Sequence, residues 1–98
     1  MDVEHRSNDL QRLEADPDFN GGYSQAIVRA FRKRLQFIRA ATDERDLYAM
    51  KSLHFEKLKG DRSHQRSVRL NDQWRLILEI EPGTPKNKAV ICGIEDYH

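Results

Sequence analysis

Several absences bound this 98-residue chain before any motif is read. It has one cysteine, Cys92, a usage that fits a reducing compartment. Val90 and Ile94 on either side of it point to a buried, inert thiol, with a nucleophile as the minor alternative. No apolar run approaches the roughly 20 residues of a membrane span, so no membrane association is expected. The opening Met-Asp-Val-Glu-His lacks the basic and apolar regions of a signal peptide, and the expected location is the cytoplasm. A net charge of only +1 argues against an indiscriminate polyanion binder. There is no glycine-rich nucleotide loop, no nucleophile elbow and no His/Cys/Asp/Glu cluster with metal spacing, so neither a cofactor nor a metal is expected. Repeats, low-complexity tracts and linkers are also missing, which leaves a single domain over residues 1–98.

What is present is a segregated charge distribution. Asp2, Glu4, Asp9, Glu14, Asp16 and Asp18 make the start acidic, whereas Arg29, Arg32, Lys33, Arg34 and Arg39 make one helix basic. Residues 51–75 carry Lys51, Lys57, Lys59, Arg62, Arg66, Arg69 and Arg75 against Glu56, Asp61 and Asp72. An ordinary solvated surface explains such charges as well as a polyanion site does. The terminal histidine, close to these cations if the strands pair, favours RNA.

The elements read as helices first and strands afterwards. Residues 8–14 suit a short helix capped by Ser7 or Asn8, with Asp16-Pro17 ending it, and a weak strand precedes it at residues 3–5. After Gly21-Gly22, Ile27, Phe31, Leu35 and Ile38 recur at helical spacing from a Ser24 cap, with Asp43 to Asp46 as the far boundary. Period-two patterning then predicts strands at residues 53–58, 67–70, 74–81 and 88–96. Short turns at Asn71-Asp72 and residues 81–85 favour hairpins. The expected fold is α+β, two N-terminal helices on one face of a mostly antiparallel sheet, with the opposite face as the working surface.

The segment Leu58-Lys-Gly-Asp-Arg62 running into Ser67-Val-Arg-Leu-Asn-Asp-Gln-Trp-Arg75 resembles an anion-binding surface built on a sheet. Gly60-Asp61 is a turn dipeptide that presents Lys59 and Arg62, with Asp61 fixing the turn. Arg69 and Arg75 are out of phase with Val68, Leu70, Trp74 and Leu76, which puts the arginines on the face away from the apolar residues. Asp96-Tyr97-His98 adds three proton-transfer groups at a strand end. Histidine titrates near neutral pH, so His98 is the first candidate for acid or base in cleavage of RNA by its own 2′-hydroxyl. By period two Asp96 shares its face and orients it or takes a proton, while Tyr97 points the other way unless the chain end twists, and is open to base stacking. Arg75 is the candidate for balancing phosphorane charge, against the alternative of an acidic partner across the sheet.

In order and spacing these segments, with Phe31-Arg-Lys-Arg-Leu35 and Ala40-Ala-Thr42 before them, resemble the HigB-like branch of the RelE/ParE toxins. The resemblance implies a RelE-like microbial ribonuclease fold and the toxin of a type II toxin-antitoxin pair: an endoribonuclease (mRNA interferase) that cuts mRNA on the translating ribosome. It also implies a HigA-like helix-turn-helix antitoxin as partner. On this basis His98, Asp96, Arg75 and Tyr97 form the catalytic set, and Lys59, Arg62, Arg69, Lys57 and His54 bind RNA. Where relatives place a histidine close before Leu58-Lys-Gly-Asp-Arg62, Phe55-Glu56-Lys57 intervenes here and moves His54 two residues out. A ParE-like gyrase poison without nuclease activity and a degenerate RNA-binding regulatory domain are the alternatives.

Overall fold

A computed structural model describes residues 1–97; His98 lies outside the described residues. Strand β1 (Asp2–His5) is followed by α1 (Asn8–Ala15), α2 (Gln25–Ala40) and α3 (Glu44–Ala49). Then come β2 (Glu56–Lys57), β3 (Arg66–Arg69), β4 (Trp74–Glu81) and β5 (Lys88–Asp96). The sheet order is β1-β5-β4-β3-β2. Strands β2 to β5 form an antiparallel meander, and β1 adds in parallel to β5 at the far edge.

The helices start where side chains can satisfy the first free N–H groups. Ser7 and Ser24 hydroxyls accept from Leu10 N–H and Ile27 N–H at 3.2 and 3.3 Å. Ile27, Phe31, Leu35 and Ile38 then line one buried face of α2. They pack with Val68, Leu76, Leu78, Ala89 and Ile91 in one core, so the three helices cover a single face of the sheet. None of these three helices covers the other face, although Ser67, Ile77 and Val90 on it are buried.

Two expectations change. Asp43 to Asp46 do not end α2, which stops at Ala40; the Asp43 carboxylate instead caps α3 by accepting from Arg45 N–H at 2.9 Å. Glu44 and Asp46 lie in the first turn of α3, where negative charge is favoured. The expected strand at residues 53–58 is a single 3₁₀ turn at Lys51–Leu53, then His54 in the left-handed region at φ 46°, with only Glu56–Lys57 joining the sheet. Leu53 and Phe55 are both buried, so their alternation reflects this bend rather than a pleat.

One irregularity sets the phase of the last strand. Ile77 pairs with Gly93 but Leu78 pairs with Ile91, so Cys92 is the extra residue of a β-bulge. Before it Ala89 and Ile91 face the helices; beyond it Ile94 does. Register therefore sets Asp96 opposite Trp74 on the helix side and Glu95 opposite Arg75 on the open side. Desolvation pushes the Cys92 thiol up to about 11, which makes it a poor nucleophile.

Much of the basic character of α2 is used internally. Arg32 donates to the carbonyls of Leu13, Asp16 and Phe19, and Arg34 to that of Arg69 at 2.9 Å. Arg39 grips Glu14 through two bonds of 2.8 Å, and the His5 imidazole reaches the same carboxylate at 2.7 Å. Arg29 and Lys33 remain exposed. Glu14 ties β1 and α2 to α1, and chiefly through Arg39 its carboxyl is held below the usual glutamate range. A depressed folded value means the contribution is complete above the unfolded pKa of about 4.3 and is lost as pH falls through the folded one. Glu14→Gln is therefore expected to lower stability at pH 7 and to flatten the loss of unfolding free energy on acidification below about pH 4.3, read from denaturant titrations across that range.

No helix among the described residues is long and apolar enough to cross a membrane. Nor does any group of three or more described His, Cys, Asp or Glu side chains stand close enough to hold a metal ion.

Candidate active site on the open sheet face

The open face carries a row of charged residues set by strand register. Arg69 of β3 lies opposite Arg75 of β4, which lies opposite Glu95 of β5. Glu56 of β2 enters the same face beside Ser67. Because the carboxylate of Glu95 stands next to Arg75, an ion pair between them is the first expectation of geometry. The bonds run elsewhere. Glu95 takes Arg62 in a bidentate pair of 3.0 and 2.7 Å. Arg69 binds Asp72 and approaches the His54 Nε2 at 3.4 Å.

Arg75 is left as the under-satisfied cation at the centre. Its side chain is 15% exposed, and its Nε and Nη1 are buried without a hydrogen-bond acceptor among the described residues. Glu56 Oε1 is 3.8 Å from Nη1, an ion pair too long for a hydrogen bond. The Tyr97 ring covers the guanidinium, 4.7 Å from its carbon to the ring centroid. Buried N–H donors without acceptors are costly, so they mark a place where an external acceptor is favoured. The planar fork of Arg75 suits a phosphate.

The remaining sequence candidates scatter around this centre. Lys59 precedes the left-handed Gly60 (φ 68°) and is exposed. Arg62 does not reach out freely from the turn, because Glu95 and Gln65 (2.9 Å from its Nε) hold it on the sheet. Lys57 pairs in register with Arg66, whose partner on β4 is Leu78, so it belongs to the helix side of the edge strand rather than to the row. His54 is exposed and meets Arg69 rather than Arg75. Asp96 accepts from Gln73 Nε2 at 3.0 Å and sits on the face away from Arg75. Tyr97, expected to point away, occupies the site instead. The cause is the bulge at Cys92, which reverses the alternation that period two assumes. His98 falls outside the described residues.

Glu56 and Glu95 are the residues that sequence reasoning passed over. Glu95 was legible as the residue two before Tyr97 on one strand face; Glu56 was not, since β2 is only two residues long. Arg66 and His64 turn toward Glu44 (3.4 Å) and Glu79 (3.9 Å).

The site thus combines a phosphate-suited arginine, a carboxylate beside it and an aromatic ring above it, with no nucleotide-binding loop. Comparison with known proteins identifies the family and the fold. The chain matches, over residues 3–98, the family described as the RelE-like toxin of type II toxin-antitoxin system HigB. Among solved structures, the YoeB/ParE toxin from Agrobacterium tumefaciens is similar in fold, with a TM-score of 0.59 and 13% identity over 100% of each chain. No curated protein matches.

Proposed function

We propose that this chain, which belongs to the HigB toxins of type II toxin-antitoxin systems, is a ribosome-dependent mRNA endoribonuclease. Membership implies an antitoxin partner; the proposal adds a HigA-like helix-turn-helix protein in that role, and mRNA on the cytoplasmic ribosome as the target. The observation that carries it is Arg75, whose buried Nε and Nη1 lack an acceptor among the described residues at the middle of the open face.

Transesterification needs three things of such a site. Glu56, beside Arg75, takes the proton of the 2′-hydroxyl. The resulting oxygen attacks phosphorus, and Arg75 balances the charge that builds on the phosphorane. The 5′-oxygen leaves with a proton from His98, giving a 2′,3′-cyclic phosphate and a 5′-hydroxyl end. Tyr97, 45% exposed at a strand end, moves off the guanidinium as the phosphate arrives and stacks on a base. Lys59, Arg69 and His54 line the approach and hold the nucleic-acid backbone. Asp96, on the other face, acts at most on the position of the chain end. With so few proton-transfer groups, alignment of the mRNA by the ribosome supplies what the site lacks.

Mapping of mRNA ends in a translating extract is expected to give codon-phased cuts that vanish when ribosomes are omitted. Glu56→Gln and His98→Ala are each expected to lower cleavage at least ~10-fold, about 1.4 kcal/mol in the barrier. Undiminished cleavage by both variants refutes the proton assignments. Equal cutting of naked RNA removes the ribosome requirement, and gyrase-dependent DNA breaks with intact mRNA replace the reading altogether.

A further inference from the structure

The Arg62–Glu95 pair is placed where a stability role alone would not require it. Glu95 is the cross-strand neighbour of Arg75, and such neighbours stand ~5 Å apart at Cβ. Yet both its carboxylate oxygens go to Arg62, while Arg75 beside it keeps donors that no described residue satisfies. A carboxylate accepting two parallel N–H bonds from a guanidinium has the geometry of a phosphodiester accepting the same two. Arg62 is also oriented without Glu95. Its Nε donates to Gln65 Oε1, its carbonyl accepts from Gln65 N–H at 2.9 Å, and Ser63 N–H closes the turn onto Gly60. The fork therefore stays aimed at the sheet if the carboxylate leaves. The pair is open to solvent, at 43% and 44% exposure, so an incoming anion can reach it.

From these observations we infer that Arg62 is a second phosphate subsite, which the Glu95 carboxylate fills in the free protein and surrenders to the RNA backbone. The inference rests on the phosphate reading of Arg75 and deepens it. Glu95 holds the place of a phosphate next to the reacting one, and its charge disfavours loose anions until a strand held in register brings two phosphates together. Exchange conserves the bonding of Arg62: two N–H donors pass from one anionic acceptor to another.

The test is a titration of the ¹⁵N-labelled chain with inorganic phosphate, following the guanidinium resonances of Arg62 and Arg75 in the unaltered protein and in Glu95→Gln. In Glu95→Gln, Arg62 is expected to bind phosphate roughly three- to five-fold more tightly, the range set by removing one exposed competing ion pair. The Arg75 response is expected in both proteins. An Arg62 response that is absent, or identical with and without the carboxylate, overturns the subsite and leaves the Arg75 reading intact. Silence of Arg75 in both proteins overturns the reading on which the subsite rests.

Discussion

Arg75→Met is expected to lower single-turnover cleavage of ribosome-bound mRNA by ~10²–10³-fold, the range seen when one donor to a developing anion is removed. The same substitution is expected to leave the melting temperature at or above that of the unaltered chain. The two halves of this result come from one cause. Among the described residues, Nε and Nη1 of Arg75 are buried without acceptors, Arg69 is its cross-strand neighbour, and its nearest carboxylate is 3.8 Å away. In the free protein this arginine is a cost to folding, and methionine of similar length removes the cost while keeping the contact with Tyr97. Function bought at the expense of stability is what a binding site for an absent anion should look like. Arg75→Lys retains the charge but loses the planar fork, so its activity should lie between the two. A Met variant that melts well below the parent would mean that Arg75 serves the fold, and full activity would exclude it from the site.

Phe31→Ala is expected to act in the opposite way, on stability rather than chemistry. Phe31 is fully buried at the middle of α2, in the core shared by the helices and by Val68, Leu76 and Leu78 of the sheet. Truncating such a ring costs about 3–5 kcal/mol through lost transfer energy and the cavity left behind. That is a large share of the roughly 5–15 kcal/mol typical of a small domain. The denaturant midpoint should fall by a corresponding fraction with little change in slope. At temperatures where the variant stays folded, cleavage per folded molecule should match the parent, because no residue of the open-face row is touched. A cost below about 1 kcal/mol would show that this core can collapse around the loss, and that α2 is held by other contacts.

Residues with strong local signals were legible without the structure. Ser7 and Ser24 announced α1 and α2, and β4 and β5 begin and end where period two places them. Leu53 to Leu58 misled because a left-handed His54 sets apolar residues inward at the same spacing as a pleat. Asp43 reads equally as a stop or a cap, and only the burial of Leu47 makes it the start of α3. In the site, Arg75 was accessible to phase reasoning because β4 is long and regular. Its partners were not, since whether Glu95 or Glu56 meets it depends on how other strands are paired.

The courses of α1, α2, β4 and β5, the apolar face of α2, the α+β class and the candidacy of Arg75 were determined by the sequence alone, since each depends on periodicity within one segment. The tertiary structure decided which side chains share the site. A one-residue bulge at Cys92 reverses the alternation of β5, bringing Glu95 and Tyr97 to the face of Arg75 and turning Asp96 from it. No pattern within residues 88–96 encodes that slip: it exists only as a mismatch between two paired strands. The choice of Arg62 over Arg75 by Glu95 is likewise a competition between segments 33 residues apart.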